Sequence, residues 1–288
     1  MKQFDINDLK KLYMPSPSSH KGQNGKLAII GGSHLFHGAS LWALKVASRI
    51  VDMVFYSSVS ENNEIAQKLK SELYDLIVVP RDKIEDYLKE AEVILIGPGL
   101  PREGGRQTEE DSTGSLVEEL LKKFSNKKWV IDGGAITEID PEWLKQMNGK
   151  AIVTPHEREF ERLFNFKFPI SNFQFQIEKT QEMARKYNSI ILLKGETDIV
   201  CSPNECVSIV GGNAGMTKGG TGDVLAGLTA ALATKNDLFL AAKAGSFINK
   251  KAGEELFKRV GYYFNASDLA DEIPKVMKEY IDMTMEDR

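Results

Sequence analysis

The segment from Gly211 to Asp223 carries the clearest chemical signal in the sequence. It contains six glycines in thirteen residues and leads directly into the apolar stretch 224–233. Because glycine has no Cβ, its N–H groups can approach an anion closely, and a helix start adds unpaired N–H groups and the positive end of a dipole. A helix cap, the structural alternative for Asp223, does not require so many glycines. The segment therefore predicts a phosphate site with Asp223 beside the bound anion.

A second group of polar residues follows the apolar run 151–153. The sequence there is Thr-Pro-His-Glu-Arg-Glu-Phe, which places His156 and Glu159 close to the end of a predicted strand. Proline at a helix start is an ordinary structural device, and a lone histidine is often only a packed side chain. Beside a phosphate, however, His156 could contact substrate and Glu159 could hold Mg²⁺ through water.

Further motifs also follow apolar runs, and each has a structural alternative. Asp132 could serve a ligand or cap the next turn. Glycine-rich turns at 31–32 and 97–99 could contact a ligand or simply allow a tight connection between strand and helix. Residues 194–198, Lys-Gly-Glu-Thr-Asp, could touch the ribose or phosphates of a nucleotide or form a solvated turn.

These motifs depend on an alternation of apolar, β-branched runs with stretches of helical periodicity. Such alternation favours a mainly parallel sheet with helices on both faces, and open sheets of this kind bind ligands at the carboxyl ends of their strands. The motifs are therefore expected to meet at one edge of the sheet. The predicted strands are 27–30, 53–56, 76–79, 93–96, 129–131, 151–153 and 190–193, and the predicted helices include 40–51, 65–73, 116–124 and 173–187.

The pattern changes after residue 193. Segments 198–202 and 206–210 flank Pro203-Asn204 and predict a hairpin, which would place antiparallel strands at one edge of the sheet. The two cysteines, Cys201 and Cys206, lie in this hairpin and are too few for a disulfide framework or a four-cysteine zinc site. We expect two plain thiols. A glycine-rich loop and three helical segments are predicted to follow.

Composition and charge limit the classes of partner. The chain has 288 residues, is 42% hydrophobic and carries a formal net charge of −4, so it has no general basic field for nucleic acid. No stretch approaches the roughly 18 apolar residues of a membrane span, and residues 1–13 lack the apolar core of a signal peptide. We expect a soluble, cytoplasmic protein that binds neither nucleic acid nor membranes.

Nothing in the sequence divides the chain. No linker rich in Pro, Gly or Ser and no internal repeat is present, so residues 1–288 are predicted to form a single domain. The polar stretch 101–114 is predicted to be a surface loop.

Taken together, these segments resemble the ADP-dependent NAD(P)H-hydrate dehydratase family of the ribokinase-like superfamily. The order of motifs matches from about His20 to Leu232, and the segment 212–223 is the most specific of them. The resemblance implies a three-layer α/β/α sandwich with a mainly parallel central sheet and antiparallel edge strands. It also implies an enzyme that uses ADP or ATP with Mg²⁺, and a homo-oligomer such as a tetramer. The epimerase domain that often precedes this domain is expected to be absent.

The resemblance also assigns roles by position. The pocket for hydrated NAD(P)H would be lined by Ala39, Gly99, His156 and Asp223, with Asp223 as the catalytic base. The adenine nucleotide would contact Lys194, Gly195, Glu196, Thr197, Asp198, Gly219, Gly220, Thr221 and Gly222.

The sequence departs from the family's pattern in three regions. Family members usually have a second Asp and an Asn after the equivalent of Asp132, where this chain has Gly133-Gly134 and Ile136-Thr137. Asp198 stands where Thr is common, and Pro101 replaces a common Gly. The departures that follow Asp132 are expected to affect how the substrate fits near that residue.

The implied reaction repairs a damaged cofactor. The substrate carries a hydroxyl on its reduced pyridine ring, and hydroxide is a poor leaving group, so phosphorylation followed by loss of phosphate makes elimination feasible. Asp223 would accept the hydroxyl proton, and the amides of residues 219–222 with Mg²⁺ would stabilise the transferred phosphoryl group. This chemistry depends on positioning and does not require an unusual pKa at Asp223. Two alternatives remain: an ATP-dependent kinase of a small hydroxymethyl compound, such as a thiamin precursor, and a nucleotide-binding regulatory protein without turnover.

Overall fold

A computed structural model describes residues 1–69, 75–102, 113–169 and 172–286 of the chain. Its centre is a ten-stranded sheet. The strands are β1 (Lys2–Gln3), β2 (Lys26–Ile30), β3 (Met53–Ser57), β4 (Ile77–Val78), β5 (Val93–Ile96), β6 (Lys128–Ile131), β7 (Ala151–Val153), β8 (Ile190–Leu193), β9 (Asp198–Cys201) and β10 (Cys206–Ile209).

The order across the sheet is β1-β10-β9-β8-β7-β6-β5-β2-β3-β4. All neighbouring pairs from β8 to β4 are parallel, whereas β9 is antiparallel to both β8 and β10. The short strand β1 adds in parallel to β10 at the edge. The predicted, mainly parallel sheet with antiparallel strands towards one edge is therefore confirmed.

Helices cover both faces of this sheet. The helices are α1 (Gly38–Ala47), α2 (Ser60–Lys68), α3 (Ile84–Glu90), α4 (Thr113–Lys123), α5 (Gly133–Glu138), α6 (Glu142–Gln146), α7 (Glu157–Leu163), α8 (Phe173–Lys186), α9 (Thr221–Lys235), α10 (Leu238–Val260) and α11 (Ala266–Glu286). None of the helices in the described part of the chain is long and apolar enough to span a membrane.

Side chains that alternate between the two faces of the sheet form two hydrophobic cores, one on each face. Leu27 and Ile29 of β2 belong to a core formed with α1, α9, α10 and α11, whereas Ala28 and Ile30 face the opposite side with α3, α4 and α8. Successive side chains on a strand point to opposite faces, so a strand that is apolar throughout must be covered twice. This arrangement confirms the three-layer α/β/α fold class.

The expectation of two plain thiols is wrong. The hairpin forms as predicted, and its register places Cys201 directly opposite Cys206, with Cα atoms 4.1 Å apart. The two sulfurs are joined in a disulfide. The turn signal predicted the hairpin, but only the register of the pair brings the sulfur atoms together.

Two predicted segments lie partly outside the described residues. The predicted helix 65–73 is observed as α2, which begins five residues earlier, and residues 70–73 lie outside the described part. Most of the predicted surface loop 101–114 also lies outside it, although α4 already begins at Thr113. The assignment of residues 1–288 to a single domain stays a prediction.

Candidate active site

Three predicted site motifs follow neighbouring strands of the sheet. Asp132 follows β6, His156 lies shortly after β7, and Lys194 follows β8. These strands are adjacent and parallel, so their carboxyl ends meet at one edge, and His156 and Lys194 form an isolated parallel bridge there. The predicted convergence of these motifs is what the structure shows.

Asp132 and Lys194 form a buried ion pair at this edge. The Lys194 Nζ lies 2.8 Å from Asp132 Oδ1, and the Thr154 hydroxyl donates to the same oxygen at 2.7 Å. Asp132 is only 2% exposed. It immediately precedes α5 but makes no side-chain capping bond, so the capping alternative is not realised.

The charge state of Lys194 follows from these neighbours. Burial alone would lower its pKa, but the carboxylates of Asp132 and Glu159 outweigh burial and raise the pKa above its ordinary value. The Nζ lies 4.0 Å from Glu159 Oε2, and a Cβ added to Gly222 would lie 3.6 Å from the same Nζ. Lys194 therefore presents a fixed positive charge to the start of α9.

Asp223 lies in the first turn of α9, facing this pair. Burial and, to a smaller extent, the charge of Asp132 raise its pKa to about 7, against the opposing charge of Lys194. The N-cap of α9 is Gly220, so Asp223 is not the capping residue. The proposed reaction does not require an unusual pKa at Asp223. Its position nevertheless gives this carboxyl a pKa in the range where a general base is effective.

Burial of Asp223 predicts a dependence of stability on pH. The pKa of this carboxyl is raised on folding, so its contribution to stability is present below the ordinary pKa of 3.8 and is lost as pH rises through about 7. Asp223→Asn should therefore increase the free energy of unfolding at pH 8, by on the order of 1 kcal/mol or more, and should have little effect near pH 4. Denaturant unfolding of both proteins at the two pH values measures this difference. An Asn variant that is equally destabilised at both pH values would contradict it.

The glycine-rich loop between β10 and α9 has the backbone geometry that its composition predicts. Gly211, Gly212 and Gly220 have φ values of 119°, 76° and 95°. A Cβ at Gly220 would lie 2.4 Å from the Trp42 ring, whereas a Cβ at Gly219 would meet nothing within 4 Å. Because the N-cap of α9 is a glycine, no N-cap side chain bonds to the first N–H groups of the helix, which is the arrangement that anion sites use.

A cleft of about 970 Å³ opens between this loop and the end of β8. Its lining brings together most residues predicted to contact the nucleotide, with His156 beside them. Gly219 and Gly220 do not line it. The predicted contacts that do are Lys194, Gly195, Glu196, Thr197, Asp198, Thr221 and Gly222.

The other predicted substrate contacts lie further along the same edge. A Cβ on Gly99 would lie 3.1 Å from the Cβ of Ala39, so these two residues adjoin each other beyond β5. Neither is part of the lining of the cleft, so their contact with the substrate stays a prediction. Gly97 connects the two regions, because a Cβ there would lie 1.7 Å from the Asp132 carbonyl oxygen.

The Gly133-Gly134 departure has a steric reason. Gly133 has a φ of 53°, and a Cβ on Gly134 would lie 2.1 Å from the carbonyl oxygen of Leu100. The start of α5 therefore packs against the backbone after Gly99 at a distance that only glycine permits.

Glu159 is held inside the protein. It forms a capping box with His156, whose N–H donates to Glu159 Oε2 at 2.9 Å, while Arg102 donates to Oε1 at 3.0 Å. Burial lowers the pKa of His156 below its ordinary value, and Glu159 opposes this effect. In the described residues, no group of three or more His, Cys, Asp or Glu side chains could hold a metal alone. A role for Glu159 towards Mg²⁺ through water stays a prediction.

The cleft also contains residues that sequence reasoning missed. Asn249 and Lys250 of α10 line it, and both are buried. The one available signal was a lysine on an otherwise buried face of a helix, which is rare unless the charge is paired.

The chain is similar to known proteins over most of its length. A family model described as NAD(P)H-hydrate dehydratase matches residues 27–275. The ADP-dependent (S)-NAD(P)H-hydrate dehydratase of Nitrosopumilus maritimus is 34% identical over 94% of this chain and 96% of its own length. The bifunctional NAD(P)H-hydrate repair enzyme of Methanocaldococcus jannaschii is 38% identical over 94% of this chain, which spans only 52% of that relative.

A solved structure supports the fold. The ADP/ATP-dependent NAD(P)H-hydrate dehydratase of Bacillus subtilis, co-crystallised with ATP and Mg²⁺, has a TM-score of 0.77 and 23% identity, covering 97% of this chain and 98% of its own. The family model and the near full-length relative together show that this chain belongs to the NAD(P)H-hydrate dehydratase family.

Proposed function

We propose that this chain dehydrates hydrated NAD(P)H to NAD(P)H at the expense of ADP or ATP, as a repair enzyme for nicotinamide nucleotides. The observation that carries the proposal is the position of Asp223. A buried carboxyl with a pKa of about 7 lies between a glycine-rich helix start and the Asp132–Lys194 ion pair, beside a cleft large enough for a nucleotide. The names of the relatives support the same activity.

In the proposed reaction, Asp223 accepts the proton of the ring hydroxyl. The freed oxygen attacks the terminal phosphorus of the nucleotide, and the bond to the leaving ADP or AMP breaks. The C–O bond of the resulting phosphate ester then breaks with release of inorganic phosphate, and a neighbouring ring carbon loses a proton to give NAD(P)H. In this proposal, the N–H groups of residues 219–222 and the ammonium of Lys194 would stabilise negative charge on the transferred phosphoryl group.

Mg²⁺ fits the donors at this edge. The carboxylates of Asp132 and Glu159 lie close enough to raise the pKa of the Asp223 carboxyl, with Lys194 and Arg102 as the neighbouring cations. Mg²⁺ prefers oxygen ligands and is usually bound by one or two carboxylates together with substrate phosphates. When bound, it would neutralise charge on those phosphates, with Asp223, Asp132 or water on Glu159 as the protein's contribution.

The direct test is an assay with purified protein, Mg²⁺, hydrated NADH or NADPH, and ADP or ATP. We expect the near-ultraviolet absorbance of reduced cofactor to return, with release of one phosphate per turnover. A stable phosphorylated product would instead indicate a kinase of a small hydroxymethyl compound. Nucleotide binding without consumption would indicate a regulatory protein.

Nucleotide binding is also expected to stabilise the fold. A ligand that binds only the native state at about 100 times its dissociation constant adds about 2.7 kcal/mol to the free energy of unfolding. ADP or ATP with Mg²⁺ should therefore raise the midpoint of thermal unfolding by several degrees. An unchanged midpoint at millimolar nucleotide would refute the assignment of this cleft.

The remaining assignments have narrower support. A homo-oligomer, such as a tetramer, is implied by resemblance to the family. A cytoplasmic location is consistent with relatives that are named as NAD(P)H-hydrate dehydratases and repair enzymes. The absence of nucleic-acid binding is supported by the net charge of −4. Light scattering, cell fractionation and a nucleic-acid binding assay test these three assignments.

A further inference from the structure

Helix α10 turns a stripe of polar side chains towards the cleft. Ser246, Lys250 and Glu254 are spaced four residues apart and lie on one face of the helix. Lys250 is the centre of the stripe and is only 6% exposed. Its Nζ donates to the carbonyl oxygens of Gly195 at 3.1 Å and Glu196 at 2.9 Å, and it also reaches the carbonyl oxygen of Gly211 at 3.4 Å. One ammonium therefore bonds to both loops that line the cleft.

Asp198 connects Lys250 to the loop that contains Gly195 and Glu196. Its Oδ1 accepts the N–H of Gly195 at 2.9 Å and lies 3.3 Å from Lys250 Nζ, while its Oδ2 accepts the hydroxyl of Ser246 at 2.7 Å. The side chain is 4% exposed. Asp198 thus acts on the fold of the loop, and its carboxylate is already occupied by Gly195, Ser246 and Lys250.

The second loop is fixed to the same helix. Gly212 N–H donates to Glu254 Oε1 at 3.1 Å, and the Asn213 amide donates to the carbonyl of Gly253 at 2.7 Å. A Cβ on Gly211 would lie 2.4 Å from Glu254 Oε1, so the backbone lies directly against the helix. Both walls of the cleft are therefore anchored on α10.

We propose that Lys250 is a positioning residue that holds the two nucleotide-binding loops at a fixed separation. The inference rests on the proposed function, because it assigns a nucleotide to this cleft. An ammonium has three donors and can serve several carbonyl oxygens at once, whereas no neutral side chain of similar length offers the same. If the loops separate in part of the population, the apparent dissociation constant rises by the inverse of the competent fraction.

A simpler role for Lys250 would be to neutralise Asp198. Removing Lys250 alone leaves a buried carboxylate without a cation, which can prevent folding. The comparison that separates the two roles is therefore made in an Asp198→Asn background. Asn keeps one oxygen that can accept the N–H of Gly195, and its amide NH2 can donate to the hydroxyl oxygen of Ser246. Because Asn carries no charge, Lys250 loses its ionic partner in this background and keeps its carbonyl partners.

The experiment measures binding of ADP and ATP to Asp198→Asn and to Asp198→Asn/Lys250→Met by calorimetry, together with steady-state kinetics. We expect the double variant to bind nucleotide about tenfold more weakly than the single variant. Its nucleotide KM should rise accordingly, while kcat at saturating nucleotide stays within about threefold. A loss of folded protein would instead lower kcat and leave KM unchanged. Lys243→Met is the matched control, because Lys243 lies on the same helix and pairs with Asp8 at 2.6 Å, away from both loops.

Equal nucleotide affinities in the single and double variants would overturn the proposal and leave Lys250 with charge compensation alone. An effect of Lys243→Met as large as that of Lys250→Met would overturn it as well. Failure of the proposed function is distinguishable: it would appear as wild-type protein that binds neither nucleotide, in which case both inferences fall. Thermal unfolding of each variant without ligand identifies the folded samples.

Discussion

Replacing Asp223 by Asn is expected to lower turnover at least about 100-fold, with the dissociation constant for ADP or ATP within about threefold of the original. Asn keeps the shape of the side chain but cannot accept the proton of the substrate hydroxyl. Nucleotide binding should persist, because it depends on the glycine loop and on Lys194. Loss of repulsion between a carboxylate and the phosphates could even strengthen it.

The chain offers a matched control for this experiment. Asp237 is a true N-cap, because its Oδ1 accepts the N–H groups of Phe239 at 2.9 Å and Leu240 at 3.1 Å at the start of α10. Asn caps helices about as well as Asp, so Asp237→Asn should leave turnover near normal. If Asp223→Asn retained the same activity as Asp237→Asn, the catalytic assignment would be wrong.

Much of the fold could be predicted from sequence because buried parallel strands are apolar throughout. The central strands β2, β3, β5, β6, β7 and β8 stand out for this reason. Strand β1 could not be found in this way, since it has two exposed residues and pairs with β10, about 200 positions away. The start of α2 was also missed, because its first turn is polar and places Asn62 in hydrogen bonds to Tyr56 and Ser58.

The site residues could be predicted from the sequence where they directly follow a predicted strand. Asp132, His156 and Lys194 each follow an apolar run, and a parallel sheet brings such positions to one edge. Which of them touch was not predictable, because the contact between Asp132 and Lys194 depends on strand order and joins residues 62 positions apart. The raised pKa of Asp223 depends on the same placement, since Asp132 is one of its causes.

The role of Lys250 could not be predicted from the sequence for a different reason. Its function depends on carbonyl oxygens of two loops, and backbone acceptors carry no sequence signature. The same limitation applied to the disulfide, whose hairpin was evident from Pro203-Asn204 but whose cross-strand register was not. The sequence therefore predicts which strand ends carry the chemistry. The contacts that fix the loops and pair the cysteines depend on the tertiary structure.

Removal of the Lys194 ammonium should produce the largest loss of stability. The Asp132 side chain is 3% exposed, and in Lys194→Met its Oδ1 would keep only the Thr154 hydroxyl as a partner. Breaking a buried ion pair from one side typically costs about 3–5 kcal/mol of unfolding free energy. The pKa of Lys194 is raised on folding, so its own titration does not change the loss between pH 6 and 8. Lys194 also stabilises the ionised form of Asp223, so the loss in Lys194→Met should be larger at pH 8 than at pH 6, as Asp223 ionises through about 7.

Two further variants determine whether this loss comes from burial of an unpaired charge. Asp132→Asn/Lys194→Met removes both charges and should recover most of the stability, since the double change leaves no buried ion. Lys235→Met breaks a more exposed pair with Glu92, at 2.7 Å, and should cost no more than about 1 kcal/mol. Denaturant midpoints at constant m value measure all three variants. A loss in Lys194→Met no larger than that in Lys235→Met would show that Asp132 does not need its cation.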